Sequence, residues 1–187
     1  MRRVTSRIGA ALVEKFARLQ VRYVRHYRPY VDLPWQIVFQ TEDRSEVAEF
    51  CSRHDIAHEW LDEETLRTVQ RCQGVARHPV TNETVFFNQA HLFHPSSLGA
   101  ASAAGLLELF GADRLPRSAC FGDGSEITDE ELAVVRAAFE REVIVFSWQK
   151  GDVLLLDNMR FAHGRRPFTG NRKVLAGLCR SHSPAAR

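Results

Sequence analysis

No stretch of the 187 residues approaches the roughly 20 consecutive apolar positions that a membrane-spanning helix needs. Charge of one sign is also missing: 25 Lys+Arg stand against 23 Asp+Glu, a formal net charge of +2. That balance gives no global pull toward nucleic acid or an anionic membrane. Only four cysteines occur, Cys51, Cys72, Cys120 and Cys179, scattered and without a C-x-x-C pair. A chain this long buries a core without disulfide staples, and no secretion signal precedes them. The opening MRRVTSRIGAALVEKFARLQ is too interrupted by Glu14, Lys15 and Arg18 for a signal-peptide core. A cytoplasmic location is the expectation. There is no repeat and no low-complexity tract, no Gly-rich phosphate loop (GDG at 122–124 reads as a turn), and no nucleophile elbow around Ser96 and Ser97.

What remains is ordinary globular composition, 44% apolar and 26% charged, without a Pro/Gly/Ser linker to divide it. Residues 1–187 therefore read as a single domain. Ile8, Leu12 and Phe16 fall on one face of an opening amphipathic helix. VRYVRHY (Val21 to Tyr27) carries a strand-like period of two, and Pro29 and Pro34 mark a loop. Asp43 with Glu46 three residues on resembles a helix start, continued by Val47 to His54. Leu66 to Gln70 is a short extended candidate. Pro79, Thr81 and Asn82 supply turn chemistry between Val75–His78 and Thr84–Gln89, so 75–89 reads as a hairpin. Residues 97–110 are rich in Ala and Leu and stop at Gly111. Thr128 with Glu131 is a capping box for a helix through about Glu140. The last third changes character. Val143 to Trp148, Asp152 to Leu156, Phe161 to Gly164 and Arg172 to Cys179 are short apolar runs between turn residues, the pattern of buried strands in a sandwich or barrel. The whole reads as a helix-decorated β-fold.

Chemistry concentrates between Asp157 and Leu175, DNMRFAHGRRPFTGNRKVL, where His163, Arg165, Arg166 and Arg172 follow a very apolar run. Neighbouring positive charge disfavours imidazolium and leaves a neutral ring with a lone pair for a metal. Arginine offers a planar fork to a carboxylate. The alternative on spacing alone is a hydrogen-bonded turn histidine among solvated arginines. His91 and His94 form H-x-x-H, but a zinc hydrolase prefers helical i, i+4 spacing with a glutamate, so a structural or pocket-lining part suits them better. Phe86, Phe87, Phe93, Phe146 and Trp148 read as core, with Phe87 to His91 as one wall of a cleft.

The segments VRYVRHY, LPWQIVFQTED, ARHPVTNETVFFNQAHLFHPSSL, LPRSACFGDGSEITDEEL and SWQKGDVLLLDNMRFAHGRRPFTGNRKVL, in this order, resemble the C-terminal part of the TauD/TfdA-like (taurine/2,4-D dioxygenase) family. The resemblance is strongest to the branch of natural-product hydroxylases. It implies a mainly β fold with inserted helices, the double-stranded β-helix or jelly roll of clavaminate synthase-like proteins. It implies Fe(II), with 2-oxoglutarate as co-substrate, and hydroxylation of a small substrate, with a hint of an amino acid, free or carrier-bound. By position, His163 in AHGRRPF resembles the distal histidine of the iron triad. Arg172 in NRKVL resembles the arginine that grips the 2-oxoglutarate carboxylate, with Arg166 as the reserve. Asn88 and Gln89 resemble residues of the substrate pocket. Asp157 and Asn158 are expected to shape the turn that aims His163.

One departure stands out. The triad needs a second histidine and a carboxylate, which the family supplies from an upstream H-x-D or H-x-E. None of the eight histidines here is followed two positions later by Asp or Glu. The chain is accordingly expected to be the C-terminal portion of a longer enzyme or a shortened relative, with open sheet edges available for pairing. Two other readings stay open: a non-catalytic jelly-roll remnant that pairs with another chain, and a metal-free carboxylate binder using Arg172.

Overall fold

The computed structural model describes residues 1–171 and 173–179. The chain opens with two helices, α1 (Arg2–Ile8) and α2 (Ala10–Leu19). They replace the single helix expected from the Ile8, Leu12, Phe16 stripe, because Gly9 sits at φ 89°, a left-handed conformation that an L-residue with a side chain rarely adopts. The stripe still does its work across the break: Ile8 and Phe16 are buried and Leu12 packs against them.

Strand β1 (Val21–Tyr27) follows, as its period of two predicts. Pro34 then caps a short helix, α3 (Trp35–Phe39), which the sequence did not announce. Asp43 caps α4 (Arg44–Arg53) by accepting from the Ser45 N–H at 2.7 Å. Strands β2 (Ile56–Trp60) and β3 (Leu66–Cys72) come next, then the hairpin β4 (Val75–Arg77) and β5 (Thr84–Phe86). The chain continues through α5 (Ala90–Phe93), α6 (Ala100–Phe110), β6 (Arg117–Phe121) and α7 (Asp129–Arg141). The capping box of α7 is present: Thr128 Oγ1 accepts from the Glu131 N–H, and the Glu131 carboxylate accepts from the Thr128 N–H.

Four strands form an antiparallel sheet in the order β2-β3-β1-β6, and β4 pairs with β5 separately. Val21 faces Cys72 on one side and Phe121 on the other, which fixes the register of the central strand. The larger core gathers around the start of β1, where Phe16, Val21, Phe86, Phe121, Leu132 and Val135 are buried. Phe16 stands edge-on to Phe86 at 5.0 Å between ring centroids. A second core, built on Tyr27, Trp35, Val47, Cys51 and Leu66, lies at the other end of the same strand. Gly74 joins the sheet to the hairpin where a Cβ would collide with the Phe16 carbonyl oxygen, so no larger residue fits that crossing.

The last third differs from the expectation. Among the described residues, none from Val143 to Cys179 is in a helix or strand. The runs Val143 to Trp148, Asp152 to Leu156 and Phe161 to Gly164, expected as buried strands, form no strand. Apart from the half-buried Leu156, their apolar side chains are exposed, with Ile144, Val153 and Leu155 more than four-fifths so. Of the fourth run, Arg172 lies outside the described residues, and Lys173 to Cys179 is likewise without strand. A strand exists only where a neighbour takes its N–H and C=O groups, and among the described residues no segment pairs with these runs. The described architecture is therefore mixed, with seven α-helices beside six strands, rather than mainly β.

Candidate functional site

The segment singled out for chemistry begins at Asp157, and this residue is where it touches the packed part of the molecule. His78, at the end of β4, is 6% exposed, and its Nε2 lies 2.8 Å from Asp157 Oδ2. The other ring nitrogen, Nδ1, accepts the backbone N–H groups of Val80 and Thr81 at 3.2 and 3.0 Å. With Nδ1 accepting, the proton sits on Nε2 and is donated to the carboxylate. That hydrogen bond comes first among the causes that hold the Asp157 carboxyl below its ordinary range. Asp157 also organises the next four residues. Its Oδ1 accepts the Met159 N–H at 3.0 Å, and its carbonyl accepts the N–H groups of Arg160 and Phe161 at 3.0 and 2.9 Å. The Met1 nitrogen donates to the Arg160 carbonyl.

Two residues beyond Phe161, His163 is exposed, as are Arg165 and Arg166. Arg172 lies outside the described residues. Asn88 serves the backbone: its Nδ2 donates to the Gly74 carbonyl at 2.6 Å and its Oδ1 accepts the Ala90 N–H at 3.0 Å. Gln89 is exposed, and its backbone N–H donates to the Tyr23 hydroxyl at 2.8 Å. The structure thus keeps His163 and Arg166 exposed on a segment outside helix and strand and places Asn88 and Gln89 at the start of α5.

The H-x-x-H pair resolves into structural histidines. His91 stacks on Phe139 with 4.6 Å between ring centroids, and its carbonyl accepts two N–H groups of Arg136. Burial first, and then the Arg136 charge, push its pKa down to about 4, so the ring is neutral at ordinary pH. His94 Nδ1 accepts the Ser96 N–H at 3.2 Å and lies 2.8 Å from the Ser96 hydroxyl.

Close by is a cleft of about 250 Å³ between α5, α6 and the start of β6. Its walls are mainly apolar, including Leu92, Phe93, Leu106 and Leu115, and Asp32 and Arg117 also line it. Arg117 grips Asp32 in a bidentate pair, at 2.7 and 2.5 Å, and Arg25 reaches the same carboxylate at 3.3 Å. Burial pushes the Asp32 pKa up, but the Arg117 hydrogen bond, the Leu33 N–H and the two guanidinium charges outweigh it, and the net shift is downward. Nothing in the sequence announced this triad, because Asp32 and Arg117 stand far apart along the chain and meet only through the sheet. His78 was equally silent: Pro79 and Val80 after it make no H-x-D, and its carboxylate partner lies 79 positions away.

The described residues do not assemble an iron site. Among the described residues there is no group of three His, Cys, Asp or Glu side chains that could hold a metal ion. His163, the one ligand expected from this chain, faces solvent rather than a carboxylate.

Residues 1–179 match the family described as "Taurine catabolism dioxygenase TauD, TfdA family". Among curated proteins, the chain is 42% identical over 184 residues to the "Dapdiamide synthesis protein DdaC" of Enterobacter agglomerans, covering 98% of this chain and 56% of that protein. It is 28% identical over 147 residues to a "Clavaminate synthase-like protein" of Arabidopsis thaliana, covering 78% of this chain and 41% of the relative. The chain therefore spans about half the length of these curated relatives.

Proposed function

From the premise that this chain belongs to the TauD, TfdA family of dioxygenases, we propose that it is part of an Fe(II)- and 2-oxoglutarate-dependent dioxygenase. Its proposed reaction is hydroxylation of a small, amino-acid-derived substrate, free or carrier-bound, in the cytoplasm. The observation that carries this reading is the family match over residues 1–179. The bacterial relative is named for dapdiamide synthesis, which favours a biosynthetic rather than a catabolic substrate. No helix of the described residues is long and apolar enough to cross a membrane.

The fold proposed for the complete domain is the family's jelly roll, with the apolar runs after Val143 as strands that acquire partners there. His163 is the histidine of this chain proposed for iron. Arg172, with Arg166 in reserve, is proposed for the far carboxylate of 2-oxoglutarate through a bidentate guanidinium contact. Asn88 and Gln89 are proposed to border the substrate. Because the sequence holds no H-x-D or H-x-E, the remaining two ligands are proposed to come from other polypeptide, and no chemical step is assigned to these residues alone.

The test compares iron content and succinate formation for this chain and for a version extended upstream to the length of its relatives. The extended protein is expected to bind Fe(II) and form succinate, and His163→Ala is expected to reduce turnover to background while leaving the fold intact. Turnover that survives His163→Ala overturns the site, and an extended protein without iron-dependent succinate formation overturns the function. A second reading, a non-catalytic jelly-roll relative that pairs through its open sheet edge, is favoured by the exposure of His163. Binding of 2-oxoglutarate in the presence of a chelator separates a third, metal-free carboxylate binder from both.

A further inference from the structure

We propose that His78 is a positioning residue that latches the Asp157 turn to the β4-β5 hairpin and so sets where the His163 segment leaves the folded body. The inference rests on the reading of His163 as the iron-binding histidine of the complete enzyme.

Three observations carry it. The imidazole is 6% exposed, yet it makes its bonds in two directions. One ring nitrogen closes its own hairpin through Val80 and Thr81, and the other reaches across the chain to Asp157. A hairpin turn alone needs only the first of these, which an asparagine supplies. The second is a charge-assisted bond whose donor is almost fully withdrawn from water, the setting in which such bonds are strongest. Asp157 also organises the turn ahead of His163, because Met159, Arg160 and Phe161 all donate to it, and the Met1 nitrogen adds one bond, to the Arg160 carbonyl. Finally, the hairpin that carries His78 is itself fixed to the core. Phe86 N–H donates to Thr5 Oγ1 at 2.8 Å, and Val75 pairs with Phe86. The latch therefore connects the packed hairpin to a segment that has no helix or strand among its described residues. Five residues, Asn158 to Ala162, then separate the fixed Asp157 from His163.

The two functions of the ring separate by substitution. In His78→Asn the side-chain oxygen lies near the place of Nδ1, so the hairpin keeps its acceptor and the latch loses its donor. In His78→Gln the amide nitrogen reaches the place of Nε2, so the donor to Asp157 is kept. The readout is amide hydrogen exchange at Arg160 and Phe161, whose acceptor is the Asp157 carbonyl. Exchange there is expected to quicken about tenfold in His78→Asn, as for loss of one charge-assisted bond, and to stay within about threefold of the parent in His78→Gln. Equal exchange in His78→Asn and the parent overturns the latch, and so does an opening as large in His78→Gln as in His78→Asn. Should His78→Asn fail to fold, Asp157→Ala breaks the same contact from its exposed side, and unchanged exchange at Arg160 and Phe161 then overturns the proposal. None of these readouts requires iron, so they are independent of the functional reading. In the upstream-extended protein of the functional test, His78→Asn is expected to weaken Fe(II) binding about tenfold and His78→Gln to restore it. Fe(II) binding indifferent to His163→Ala would overturn the iron assignment while leaving the exchange result standing.

Discussion

Residues 1–142 and residues 143–179 of this chain hold similar proportions of apolar residues and meet opposite fates. In the first region Phe16, Val21, Phe86 and Phe121 are wholly buried, and seven helices and six strands satisfy the backbone. In the second, Ile144, Val153, Leu155 and Leu178 are more than four-fifths exposed, and no described residue belongs to an element. Hydrophobicity is common to both, so it is not what separates them. The difference is partnership. β1 lies between β3 and β6 in a fixed register, whereas the later runs have no neighbouring strand among the described residues. An apolar strand buries itself only as part of a sheet, and the unit that folds is the pairing rather than the run. The contacts that tie the second region to the first, Asp157 on His78 and the Met1 nitrogen on the Arg160 carbonyl, are accordingly polar.

That contrast can be broken from its strong side first. Phe16→Ala removes a fully buried ring packed against Phe86 and Phe121. It is expected to cost about 3–5 kcal/mol in denaturant unfolding, and a cost below about 1 kcal/mol would mean that the first region is not the core it is taken to be. Acid gives an intermediate effect on the same region. Burial lowers the pKa values of His26, His91 and His94. These rings are kept neutral in the fold, while in the unfolded chain they titrate near 6.5. Their contribution is therefore fully present above that pH and is lost as pH falls below it, for His91 down to about 4. Between pH 7 and 5 the parent should lose roughly 2 kcal/mol through His91. His91→Phe, which retains a ring against Phe139, should lose correspondingly less in urea titrations at the two pH values. On the weak side, Leu155→Ala removes a side chain that is 93% exposed and is expected to change stability by less than about 0.5 kcal/mol. A loss above about 1 kcal/mol would show Leu155 packed in solution, and the two regions would then be alike.

Much of the first region could be read directly. The N-cap at Asp43, the capping box at Thr128 and the stop at Gly111 placed three helices, and the period of two at Val21–Tyr27 placed the central strand. These signals are local: a side chain caps its own helix, and a strand alternates along itself. What went unread was short or depended on distant residues. β2, β6 and α3 carry no pattern strong enough to stand alone, and Gly9 divided a helix whose apolar stripe ran unbroken through it. The candidate site divides in the same way. His163 and its arginines were visible as a cluster, because chemistry-bearing residues crowd into a few positions. The grip of His78 on Asp157 and of Arg117 on Asp32 was not visible, because each joins residues that only the fold brings together.

Sequence by itself settled the family, through an ordered series of segments, and settled which residues are available for chemistry, including the absence of any H-x-D or H-x-E. Tertiary structure alone decided which apolar runs are buried and which histidine is tied to which carboxylate. Both decisions belong to pairs of residues far apart in the chain, and a pair has no energy until folding sets its distance.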